Sequence, residues 1–158
     1  MSTLRVDSIQ DTAGADNQGK ILQVVGNTAA VARFQATVTA FTDTGFSVSI
    51  TPKFANSKIL IDFSGIVYAT GHYVYLDIYR NGTTSLSGDT TNGLSSSICY
   101  YTSYWQSASM FWIDSPNTTS AVTYDIFAKT VSSQVIVGSN TSAVYPNGVF
   151  VSATEIAQ

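Results

Sequence analysis

The sequence predicts an all-β protein: an antiparallel β-sandwich or jelly roll, preceded by a short extended arm. Three observations carry this. Apolar residues recur with a period of two in many short runs, which is the strand signal. No segment holds a helical 3.6 period over a useful length. The chain solvates itself with hydroxyls rather than charges: only 11% of its 158 residues are charged, while Ser and Thr make up roughly a quarter, about twice the usual share. Threonine suits a pleated surface, whereas Lys/Glu-rich faces suit helices.

The clearest stretch runs from Ser57 to Thr83. On its first half Ile59, Ile61, Phe63 and Val67 share a face. On its second half Val74, Leu76 and Ile78 point one way, and Tyr73, Tyr75, Asp77 and Tyr79 the other. The two halves read as a central hairpin joined through Ala69-Thr70-Gly71. Asn81-Gly82 closes the second strand as a type I′ turn, because both residues tolerate positive φ.

The remaining elements fall on either side of that stretch. Residues 1–19 form an arm with three apolar anchors, Leu4, Val6 and Ile9, and then a turn-rich polar run. Such a segment cannot build a core. Either it is a flexible tail, or its anchors dock on something such as a neighbouring subunit; the anchors favour docking. The domain proper is expected over 20–158. Lys20–Val25 is a short strand, Val31–Phe41 alternates partly, and Phe46–Ile50 alternates cleanly until Pro52. After Asn81-Gly82, Thr83–Leu86 returns as a strand. Ser87–Ser97 is rich in Gly, Ser, Thr and Asn and reads as a long exposed loop. Strands follow at Ile98–Tyr101, Trp105–Ile113, Val122–Val131, Gln134–Val137 and Val149–Ile156. In the second of these, Trp105, Ser107, Ser109, Phe111 and Ile113 share a face. In the last, Val149, Val151, Ala153 and Glu155 do. Nine to eleven strands at this spacing point to a sandwich or jelly roll.

Charge and composition exclude several functions. With a net charge of −3 and seven scattered cationic side chains, the chain lacks the basic stripe that nucleic acid or an anionic membrane needs. No apolar run reaches the roughly 18 residues of a membrane span. The N-terminus lacks the basic and apolar regions of a secretion signal, so synthesis in a cytosol is expected, the chain either staying there or leaving in an assembled particle. Cys99 is the lone cysteine, expected as a small buried apolar residue. No metal-ligand spacing or cofactor motif is present, so no cofactor is expected.

The candidate chemistry is thin. His72 is the single histidine, at a turn, and no Gly-x-Ser-x-Gly elbow accompanies it. Asp62, Asp77 and Asp125 lie on strands and are the only acids that could pair for glycan hydrolysis; acids facing solvent or an oligomer axis are the commoner case. Recognition is the stronger option, since loops on rigid β scaffolds concentrate binding. Asp89 and Asn92 in the long loop, with Tyr100, Tyr101, Tyr104 and Trp105 beyond it, have the Tyr/Trp/Asn mix of recognition surfaces. The same aromatics would also serve as core or subunit contacts. Several strands are apolar or aromatic on both faces. This predicts a closed homo-oligomer with Tyr73, Tyr75, Asp77 and Tyr79 at the subunit interface, Asp77 hydrogen-bonding a tyrosine there.

Several segments are also similar to a known family. Ser2-Thr3-Leu4-Arg5-Val6-Asp7-Ser8-Ile9-Gln10-Asp11-Thr12-Ala13-Gly14, then Gly19-Lys20-Ile21-Leu22-Gln23-Val24-Val25, resemble the start of virion fibre-type proteins of tailed bacteriophages, especially marine and cyanobacterial ones. Phe41 to Pro52, Ser57 to Ile61, Ile78 to Thr83, Asp114 to Tyr124 and the closing Ala153 to Ala157 resemble further segments of that family. The motifs are turn-and-strand motifs and carry no chemistry. The resemblance implies a non-enzymatic virion structural protein, a tail-fibre tip or receptor-binding head. It also implies a homotrimeric jelly roll like the tumour-necrosis-factor and complement heads. Its partners would be itself, other virion proteins held through Leu4, Val6 and Ile9, and a host-surface glycan or protein. A capsid decoration protein is the alternative, and a small glycan depolymerase a third.

Overall fold

The computed structural model describes residues 19–27, 33–70, 73–94, 105–138 and 149–158. The expected sites at Leu4, Val6, Ile9, His72, Cys99, Tyr100, Tyr101 and Tyr104 lie outside the described residues. The fold is an all-β sandwich of two antiparallel sheets. In chain order its strands are β1 (Ile21–Gly26), β2 (Arg33–Thr37), β3 (Thr42–Ile50), β4 (Lys58–Ala69) and β5 (Val74–Arg80). Then come β6 (Thr84–Ser85), β7 (Trp105–Asp114), β8 (Val122–Thr130), β9 (Gln134–Gly138) and β10 (Val149–Ile156).

The first sheet is built around β4. Its twelve residues pair with β7 along one edge. Along the other edge, its first part pairs with β10 and its last three residues with β9. β1 extends the sheet beyond β10, and β2 extends it beyond β9. The second sheet runs β3-β8-β5-β6. Early and late strands thus interleave in both sheets, as two wound Greek keys require in a jelly roll.

This topology corrects the central hairpin. β4 and β5 are consecutive but belong to opposite sheets. Each presents its apolar set inward, Ile59, Ile61, Phe63 and Val67 from one side and Val74, Leu76 and Ile78 from the other; all are buried. Two strands that each carry a full apolar face bury more by stacking across a core than by lying side by side. Phe46, Val48, Ile50, Tyr124, Ile126, Val151 and Ala153 complete that core.

β3 also starts earlier than the alternation indicates. Thr42-Asp43-Thr44-Gly45, ahead of the clean alternation, continues the strand through a bulge between Asp43 and Ser47, with Gly45 at φ 78°. Side chains supply the missing ladder bonds. The buried Thr44 hydroxyl donates to the Ile126 carbonyl at 2.6 Å, and the Gly45 N–H donates to Asp43 Oδ1 at 2.8 Å. The Asn81-Gly82 turn forms as expected, with φ of 51° and 67°.

Candidate functional site

The predicted recognition loop is largely occupied with itself. It leaves β5 and returns to it: the Leu86 N–H donates to the Ile78 carbonyl at 2.9 Å, and the Leu94 N–H to the Leu76 carbonyl at 3.0 Å. Between these points Asp89 organises a tight turn. Its Oδ1 accepts from the Thr91 and Asn92 N–H groups at 2.7 and 3.0 Å, and its Oδ2 from the Asn92 side-chain amide at 3.0 Å. The Asn92 N–H and amide, then the Thr91 N–H, hold the Asp89 carboxyl below its ordinary value. The expectation of a long exposed loop is corrected over 87–94: this segment is strapped along the β5 edge. An Asx-type turn with Gly after it does this by satisfying backbone groups locally.

Asp77 does not hold a tyrosine across an interface, as expected of it, but is engaged within its own chain. It is fully buried. Its Oδ2 accepts from the Ser85 and Ser87 hydroxyls at 2.6 and 2.8 Å, and its Oδ1 from the Ile78 N–H at 2.8 Å. The carboxylate faces out of the core but is roofed by the chain's own β6 and the strapped loop. Around it, Tyr79 stacks on Phe127 with ring centroids 3.9 Å apart, and Tyr73 lies 6.1 Å from Tyr75. The Lys129 ammonium sits 4.9 Å from the Phe41 ring and 5.2 Å from Tyr75 while donating to the Thr90 carbonyl. Burial, then the Asp77 charge, keeps the Tyr79 phenol protonated beyond its usual range. These aromatics form a half-buried stripe that the chain partly covers itself.

The acids named for hydrolysis do not converge. Asp62 is on the outer face of the first sheet, opposite Phe111 and Ser152. Asp125 is on the second sheet, where burial and then the Asp43 charge raise its carboxyl, against the Gly82 N–H bond at 2.9 Å. No group of three potential metal ligands occurs among the described residues.

Two buried polar centres escaped the sequence reading. In the first, Arg80 on β5 binds Asp114 on β7, and the Tyr124 hydroxyl on β8 donates to Asp114 Oδ2 at 3.0 Å. Burial, then the Asp114 charge, pushes the Tyr124 phenol far up. In the second, Glu155 is fully buried at the end of β10. Its Oε1 accepts the Lys53 and Phe54 N–H groups at 2.7 and 3.3 Å, and its Oε2 the Gln23 amide at 2.7 Å. Burial works to raise its carboxyl, but the neighbouring Ser57 hydroxyl, the Gln23 amide and the two N–H groups together outweigh it and lower the pKa. Glu155 shares the inward face with Val149, Val151 and Ala153, as its alternation indicates; only the loop folded over it shows its partners.

The outer face of the first sheet is the broadest candidate surface. By register, Ile21, Val24, Thr154, Ile156, Leu60, Asp62, Phe111 and Ile113 all project outward. Trp105 lies farther along the same face, with its ring 5.1 Å from that of Tyr68. Beside Phe150 the face opens into a cleft of about 500 Å³ whose floor is Ser64, Gly65 and Ser107. At its edge the Asn27 side chain is already committed, donating to the Val149 carbonyl and accepting from the Val151 N–H.

No family model matches the chain, and no curated protein sequence matches it. Among solved structures, it is similar to the structure of infectious bursal disease virus Gt strain, with a TM-score of 0.47 and 14% identity. That match covers 100% of this chain and 43% of the other. The crystal structure of the infectious bursal disease virus VP2 subviral particle matches with a TM-score of 0.41 and 14% identity, over 91% of this chain and 39% of that one. The chain therefore spans less than half the length of either.

Proposed function

We propose that this protein is a non-enzymatic structural component of a bacteriophage virion. It is a jelly-roll head that assembles with copies of itself and is held to the particle by residues 1–19 through Leu4, Val6 and Ile9. The observation that supports a structural role best is how the buried carboxylates are used. Asp77, Asp114 and Glu155 each tie the chain's own strands and loops together, and the remaining strand acids are split between the two sheets. The phage assignment rests on the segments of sequence that resemble virion fibre proteins.

As a fibre tip, the head recognises a host-surface glycan or protein at the end of the sandwich where Trp105 begins β7. The internal hydrogen bonding of Asp89 and Asn92 leaves that loop few free groups for a receptor. This favours a second reading, a decoration protein that bridges coat subunits. Antibody labelling of intact particles in electron micrographs separates the two. Label at the tail or fibre ends supports the tip, and label over the capsid supports decoration. No label on any particle overturns the virion reading. Deletion of residues 2–18 should abolish incorporation while the isolated domain keeps its β circular dichroism.

A further inference from the structure

We propose that the outer face formed by β1, β10, β4 and β7 is a self-association surface, packing on the same face of a second copy about a two-fold axis near Leu60. The inference rests on the self-assembly part of the proposed function and departs from the trimer that the resemblance to fibre proteins implies.

The first argument is apolar exposure. Phe111 is 74% exposed, Ile21 67%, Val24 62%, Phe150 54% and Ile113 53%. Strand register gathers these side chains onto one face rather than scattering them. Together they offer on the order of 600 Å² of accessible apolar surface, the upper end of what soluble monomers expose and close to the ~800 Å² each partner contributes to a stable interface. The tyrosine-rich face of the second sheet does not compete, because the strapped loop and Lys129 already cover part of it.

The second argument is charge, and it selects a second copy as the occupant. Over these four strands the outward positions carry two charged residues, Lys58 and Asp62. They lie on β4, four residues apart and thus about 14 Å along the strand, too far to pair within one chain. Neither has an ion-pair partner among the described residues. Leu60 lies midway. A two-fold axis there lays β4 antiparallel across its mate, so each Lys58 meets the partner subunit's Asp62. An isologous interface is self-complementary in this sense, residue i on j and j on i. The apolar flanks then meet apolar flanks, with no like charges opposed.

The test is sedimentation equilibrium of the full chain over a range of concentrations, with folding of each variant checked by circular dichroism melting. The expected result is a two-fold assembly. Lys58→Glu or Asp62→Lys alone should weaken association at least tenfold, and the double charge swap should restore it. Phe111→Ser with Ile113→Ser should give a folded monomer. A monomeric wild-type chain overturns both this interface and the self-assembly reading. A three-chain mass overturns the two-fold packing. An assembly that ignores the Phe111 and Ile113 changes, or that is lost only on deleting residues 2–18, overturns this face while self-assembly stands.

Discussion

The Arg80 guanidinium reaches across the sandwich to Asp114, with one nitrogen 3.0 Å from both carboxylate oxygens. Arg80 closes β5 in one sheet and Asp114 closes β7 in the other, so the pair pins the two layers together at one end. The Tyr124 hydroxyl adds a third, buried contact to the same carboxylate. Removing the acid strands two donors at once, and a stranded buried donor costs more than a made bond contributes. Asp114→Ala should therefore destabilise by about 2–4 kcal/mol, discounted for the partial exposure of Arg80. Tyr124→Phe should cost about 1 kcal/mol. Urea unfolding of the single and double variants gives the coupling, expected to be about 1 kcal/mol; additive losses would mean that Tyr124 and Asp114 act independently.

Glu155 anchors the β3–β4 connection from beneath. Glu155→Ala should cost about 2–4 kcal/mol, because the Lys53 and Phe54 N–H groups and the Gln23 amide lose their acceptor together. Hydrogen exchange locates the effect: the Lys53 and Phe54 amides should lose protection first. Glu155→Gln keeps one acceptor oxygen and should fall between wild type and Ala.

Acid should destabilise the fold through Glu155 and Asp89. Both have folded pKa values lowered from their ordinary values. Their contribution is complete above the unfolded carboxylate range, about 4, and is lost as pH falls through the folded values. Asp125 has the opposite sign: its folded pKa is raised, so proton uptake there favours the folded state as pH falls. Melting temperatures between pH 7 and 2.5 should decline below about pH 4. Glu155→Gln should flatten the decline, and Asp125→Asn should raise stability near neutrality by about 0.5 kcal/mol. A wild-type profile that stays level to pH 2.5 would remove the role assigned to Glu155.

Gly93 allows the strapped loop to return to β5. Its φ is +66°, and an added Cβ would lie 2.5 Å from the Leu76 carbonyl oxygen and 2.7 Å from Phe41 Cζ. Gly93→Ala should cost about 2–4 kcal/mol from strain and overpacking. Gly88 is also at positive φ but meets nothing within 4 Å, so Gly88→Ala should cost about 1 kcal/mol. Thermal melts of the two variants compare them directly.

Much of the local structure was legible in the residues alone. Period-two alternation marks β4, β5, β7, β8 and β10 and which residues of each share a face, because strand side chains alternate whatever the strand pairs with. Asn81-Gly82 forms its turn for equally local reasons. The Asp43 to Ser47 bulge was not legible, since Thr44 continues the strand through a hydroxyl bond to a carbonyl on β8. Nor was the sheet to which each strand belongs: β4 and β5 alternate like a hairpin and yet face each other across the core. The candidate site divides along the same line. Trp105 and Phe111 could be placed on one face from sequence, but not which face lies against the core. Asp77, Asp89 and Asn92 have the residue types of a binding or interface surface. Only their neighbours, Ser85, Ser87 and the loop backbone, show the carboxylates and amide engaged within the chain. Alternation and turn chemistry are properties of a few consecutive residues. Sheet partnership, burial and the fate of a polar side chain depend on contacts between residues tens of positions apart, and the tertiary structure alone decided those.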